Sequence, residues 1–160
     1  MARHFTSADP IHSIALELEK AALEAENEFL EELARLGEMG VNEARLSGNY
    51  IDRTGNLRSS IGYVLAREGE VITASEFAKI VGKENPTGEV EGDKKGRDLA
   101  TAEARRLSKD GYALVLVAGM EYASHVSWTG RNVLDSAEDL MRERIETRFA
   151  KLGFAKVKDE

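Results

Sequence analysis

Apolar residues recur at steps of three and four from Ile11 through Ile14, Leu18, Ala22, Ala25, Phe29, Leu33 and Leu36, which places them on one face of a helix. Pro10 after Asp9 suits the start of that helix, and Gly37 and Gly40 lower helix propensity at its far end. A polar stretch with Gly48, Asn49, Asp52, Gly55 and Asn56 follows. Next, Ile61, Tyr63, Val64, Leu65 and then Val71, Ile72, Thr73 flank Arg67-Glu68-Gly69-Glu70, a β-hairpin pattern. Phe77 to Val81 reads as a further extended piece. From Gly82 to Gly96 glycines, a proline and mixed charges leave little to bury, which predicts an exposed flexible loop over 82–96. Asp98 then caps a short helix to about Ser108, with Ala100, Ala104 and Leu107 inward and Gly111 as its stop. The unbroken run Tyr112 to Ala118 lacks alternation and so reads as a central strand covered on both faces. Asp135 with Glu138 matches a capping box that opens a last amphipathic helix through Ala137, Met141, Ile145, Phe149 and Leu152. The pattern predicts one α+β domain over 1–160. Long N-terminal and C-terminal helices pack on a small, mostly antiparallel sheet, with one short internal helix and a frayed tail over 153–160.

Charge adds an asymmetry to this picture. The 160 residues hold 29 acidic and 22 basic side chains, net −7, and ten carboxylates against four Lys/Arg put −6 of it in the first 46. A balance of that sign argues against sequence-independent nucleic-acid binding. The absence of cysteine excludes disulfides, thiolate nucleophiles and zinc knuckles, and favours a reducing cytoplasmic origin. No apolar run reaches the ~18 residues of a membrane span, and MARHFTSADP lacks a hydrophobic signal segment, so neither membrane insertion nor secretion is expected.

Candidate chemistry is sparse. Of His4, His12 and His125, the last lies four residues after Glu121, which on a helix gives two ligands and no third. Ser124, Ser127 and Ser136 lie near His125 and Asp135, without the G-x-S-x-G elbow that strains a nucleophilic serine into place. Gly88, Gly92 and Gly96 recur every fourth residue, but neither G-x-G-x-x-G nor G-K-[ST] accompanies them. Glu17, Glu24, Glu28, Glu31 and Glu32 lack the histidine of a carboxylate metal cluster and read as a solvated face or one meeting a basic partner. In the C-terminal stretch Arg142, Arg144, Arg148, Lys151, Lys156 and Lys158 are nearly cancelled by interspersed acids. No cofactor or metal is expected.

Two segments stand apart. Asp52-Arg53-Thr54-Gly55-Asn56-Leu57-Arg58-Ser59-Ser60-Ile61 contains a turn whose glycine tolerates positive φ, with Leu57 and Ile61 spaced to anchor it on the core and Arg58 free to point to solvent. About fifty residues later comes Val117-Ala118-Gly119-Met120-Glu121-Tyr122-Ala123-Ser124-His125-Val126, followed by Trp128, and the large rings of Tyr122 and Trp128 fit an interface as well as a core. Together these segments resemble the tail-component family of long-tailed bacteriophages, in which "T-G-x-L-R-x-S-I" leads into the first strand and "V-x-x-G-x-x-Y-A-x-x-V" closes the central one. The likeness in order and spacing covers about 11–149. Where the family has a glutamate and glycine after the second motif, Ser127-Trp128-Thr129-Gly130 stand here, and Asn132-Val133-Leu134 replace a proline-rich approach to the last helix.

The resemblance implies a non-enzymatic structural protein of the tail or head-tail joint of a phage or prophage, found in the virion and, during assembly, in the host bacterial cytoplasm. It implies a ring-forming homo-oligomer that docks to other tail or connector proteins, with no sequence-specific nucleic acid and no membrane. On this reading Thr54, Gly55, Leu57, Arg58, Tyr122, His125, Trp128 and Arg131 are interface residues, and the 82–96 loop and the 122–131 segment lie at subunit contacts. The acidic N-terminal helix could instead face a DNA-conducting lumen. Two other classes stay open: a small hydrolase with His125 as general base among Ser127, Asp135 and Glu121, and a regulatory adaptor that binds one protein through its acidic helix.

Overall fold

The computed structural model describes residues 8–85 and 87–151, so Leu152 and the tail expected over 153–160 lie outside the described residues. The fold is α+β, with the element order α1 (Ala8–Ser47), α2 (Asn56–Ser59), β1 (Ile61–Arg67), β2 (Glu70–Ala74), α3 (Gly92–Leu107), β3 (Tyr112–Ala118), α4 (Ala123–Trp128) and α5 (Asp135–Lys151). Among the described residues three internal helices stand where one was expected. The chain divides into two compact units, 1–32 and 33–160.

In the larger unit a three-stranded antiparallel sheet has the order β2-β1-β3. The hairpin expected from the sequence joins β1 to β2 through Glu68 and Gly69, whose φ values of 51° and 81° match the twist of the flanking strands. β3 pairs with β1 from Ile61↔Ala118 to Arg67↔Tyr112. The central strand is therefore β1, and β3, expected at the centre, is an edge strand of the described sheet. β1 is buried along six of its seven residues, because one helix covers each face. On one face Val64 and Ala66 pack with Phe77, Val117 and the small residues Ala100 and Ala104 of α3. On the other, the Tyr63 ring lies against α1 at Gly37, where a Cβ would come within 2.6 Å of it. That close approach explains why α1 runs unbroken through Gly37 and Gly40: packing overrides a local propensity cost of about 1 kcal/mol per glycine.

The C-terminal half of α1 supplies Leu33, Leu36, Val41 and Ala44 to the core. Arg45 clamps it down, with Nη2 donating to the carbonyls of Ile61 at 2.7 Å and Glu76 at 3.2 Å. Burial lowers the pKa of this guanidinium, because desolvation disfavours its charged form. In α5 the expected inner face is covered at its start and again in part at Phe149, which is half-buried. Ala137 is buried and Met141 packs at Gly40 of α1, whereas Ile145 is exposed. The helix start is held by Asn132, whose Oδ1 accepts from the Ser136 N–H at 3.2 Å.

Two further expectations need correction. Phe77 to Val81, expected to be extended, forms no strand of the described sheet; the N–H of Ile80 donates instead to Ser59 Oγ and its carbonyl accepts from the same hydroxyl. The helix expected from Asp98 starts six residues earlier, so 92–96, expected in the loop, form the first turn of α3. Its two glycines there are buried on the carbonyls of Asn56 and Ser60, which leave no room for a Cβ. Leu107, expected inward, is exposed at the helix end. No described helix is long and apolar enough to cross a membrane.

Candidate interaction surface

The segment 52–60 is a junction on which three other parts of the chain converge. Asp52 organises it. Its Oδ1 accepts from the N–H groups of Gly55 at 3.0 Å and Leu57 at 3.3 Å, and its Oδ2 from that of Arg58 at 2.9 Å. These are the amides that a helix start leaves without backbone partners, so the carboxylate caps α2. Gly55 has φ +90°, and a Cβ there would overlap the Ile80 carbonyl, which excludes any other residue without rearrangement. Asn56 Oδ1 accepts from the N–H groups of Glu91 at 2.9 Å and Gly92 at 3.1 Å, fixing the start of α3. Ser59 holds Ile80 as described, and Gly82 donates to the Thr54 carbonyl at 3.0 Å.

The second motif segment is tied to this same junction. The N–H of Gly119 donates to the Ser60 carbonyl at 3.1 Å, with the Gly119 backbone packed on that of Gly96. Tyr122 hydrogen-bonds Thr54 and feels the charge of Asp52; burial first, and that charge second, raise its pKa. At the far end Asn132 donates from its N–H to Asn49 Oδ1 at 2.7 Å. The stretch 119–132, including α4, is thus anchored at both ends and in the middle to 49–60. Two motifs about fifty residues apart in sequence form one piece of surface.

The residues singled out from the sequence divide between support and surface. Gly55 and Leu57 are buried and hold the junction together. Arg58, expected to reach solvent, is half-buried: its guanidinium lies 5.6 Å from the Tyr50 ring centroid, and its Nε is enclosed without a hydrogen-bond partner. Tyr50 donates to the Ala44 carbonyl at 3.3 Å, and burial raises its pKa. Thr54, Tyr122, His125, Trp128 and Arg131 are exposed, with Trp128 90% exposed. Leu46 and Ile51 are exposed apolar residues of the adjoining segment that the sequence reading did not single out.

Asp52, Asn56 and Ser59 stand in the first motif, but the sequence assigned them no role at the surface, although an aspartate three residues before a turn glycine is a recognisable capping signal. Among the described residues no group of three His, Cys, Asp or Glu side chains could hold a metal ion. His125 and Ser127 lie on α4, with Ser127 half-buried, and Glu121 and Asp135 are exposed outside its ends or at the start of α5. Compared with protein-family models, curated proteins and solved structures, the chain matches none.

Proposed function

We propose that this chain is a structural protein of the tail or head-tail joint of a phage or prophage, acting in the virion by assembling into a ring and docking to neighbouring virion proteins. The observation that carries the reading is the joining of the two motif segments into one anchored surface that leaves Trp128 and Tyr122 open to solvent. A large ring held in water costs about 1.5–3 kcal/mol relative to a buried one, and anchored exposed aromatics are the usual make-up of a contact between proteins. The acidic bias of the N-terminal region gives such a surface a preferred orientation towards its neighbours.

The test is the native mass of the purified full chain, alone and mixed with the proteins encoded beside it. A closed oligomer, or a complex with a neighbouring tail or connector protein that Trp128→Ala weakens, is the expected result. A chain that stays monomeric at high concentration and ignores those neighbours overturns the proposal.

A further inference from the structure

The two edges of the sheet differ. β2 is five residues long, carries Glu70 and lies opposite a bulge between Leu65 and Ala66, and charge and bulges are devices that keep an edge from pairing. β3 has neither. Its seven residues, YALVLVA, contain no charge, no proline and no bulge, and five of them are half-buried. Hydrogen bonds from the Glu68 N–H to the Gly111 carbonyl and from the Gly119 N–H to the Ser60 carbonyl bracket the strand, so Ala113, Val115 and Val117 share their phase and turn their backbone groups to β1. Leu114 and Leu116 turn theirs to the outer edge, where no described group takes them.

α3 adds a second observation. It lies on the β1–β3 pair, with Ala100 and Ala104 packed among Val64, Ala66 and Val117. Its flank with Asp93 and Arg97 faces the chain that follows β2, through Lys79 at 4.0 Å and the Phe77 ring at 5.8 Å. The opposite flank, the row Leu99, Glu103 and Leu107, therefore lies on the β3 side. There Leu99 is 43% and Leu107 54% exposed. The charged neighbours Lys95 and Arg106 are paired with Glu91 and Glu103 within the helix, so no uncompensated charge opposes an approach.

We infer that β3 pairs antiparallel with β3 of a second copy of this chain across a two-fold axis at Val115, joining two three-stranded sheets into one of six strands. The occupant of this edge must be uncharged and apolar on both faces. β1 is already paired on both sides and β2 brings Glu70 and Thr73, which leaves β3 itself. In this register all seven residues overlap: Val115 faces its own copy, Ala113 faces Val117, and Leu114 and Leu116 face each other and exchange the backbone hydrogen bonds that the edge leaves open. The two α3 helices then stand two strand spacings apart, about 10 Å, which is a helix-packing distance, and cover Leu99 and Leu107 between them. Such a contact is isologous and closes on itself, so it goes beyond the assembly reading above and does not depend on a ring.

The sequence has no cysteine, so single introduced thiols on the full chain report the register. At a non-hydrogen-bonded antiparallel pair the Cα atoms lie about 4.5 Å apart, within disulfide reach. Val115→Cys is therefore expected to give a disulfide-linked pair under mild oxidation, read by intact mass. Ala113→Cys should not link to itself, because its copy stands four residues away along the strand, about 13 Å, yet it should link when mixed with Val117→Cys. The double variant Leu99→Glu/Leu107→Glu changes two exposed side chains and brings like charge between the helices. Its self-association is expected to weaken at least ~10-fold in sedimentation, at unchanged helix content by circular dichroism. A native chain that stays monomeric overturns the inference, as does Ala113→Cys linking to itself as readily as Val115→Cys. Association of the native chain without linkage at 115 overturns the inference alone and leaves the proposed function standing.

Discussion

Residues 11–25 and 33–44 of α1 carry apolar side chains at the same helical spacing, yet they end in opposite environments. Leu36 is 2% exposed and Leu18 66%. The difference lies in what the rest of the chain supplies: β1 and α5 bring Tyr63 and Met141 to the later stretch. Periodicity therefore marks a face that needs covering without saying which molecule covers it. Substitutions along the two stretches turn that contrast into measurements.

The largest effect should come from Leu36→Ala, which leaves a cavity in the covered stretch and costs about 2–5 kcal/mol, read as a lower urea midpoint at unchanged slope. Asp52→Ala should cost less, about 1–3 kcal/mol, since it strands amides of Gly55, Leu57 and Arg58 at the junction. A smaller loss should appear in alkali. Burial raises the pKa of Tyr50 and Tyr63 in the folded chain above the ordinary value of about 10. Their contribution is then complete below pH 10 and is lost as pH climbs through the raised values. Urea midpoints should fall in that window, and the Tyr50→Phe/Tyr63→Phe double variant should flatten the fall. Residues 11–32 contain no tyrosine, so the effect belongs to the larger unit. The smallest effect should be that of Leu18→Ala on the dilute monomer, within about 0.5 kcal/mol. A cost for Leu18→Ala near that of Leu36→Ala would break the comparison.

The same distinction between local pattern and distant partner governs how much of the fold was legible. The hairpin could be read because its signal is contained within 61–74: β-branched runs on either side of a glycine turn. Which strand is central could not. IGYVLAR and YALVLVA are both apolar seven-residue runs, and only pairing with β2 on one side and β3 on the other makes β1 the middle strand. The start of α3 was hidden for a related reason. GDKKG has poor helix propensity, but its glycines are the residues that let the helix lie on the carbonyls of Asn56 and Ser60. At the candidate surface, Gly55 and Leu57 were legible as turn and anchor, and Tyr122 and Trp128 as rings seeking a partner. The reach of Asp52, Asn56 and Ser59 to groups up to 36 residues away was not, since a side chain's distant partner leaves no periodic trace.

Trp128 is the chain's sole tryptophan, and at 90% exposure its indole sits almost wholly in water. Its emission is therefore red-shifted in the native protein already, and denaturant has little further to change. A blue shift or altered quenching by iodide then reports a neighbour settling over α4, which makes this residue a built-in, label-free gauge of docking that is nearly blind to unfolding.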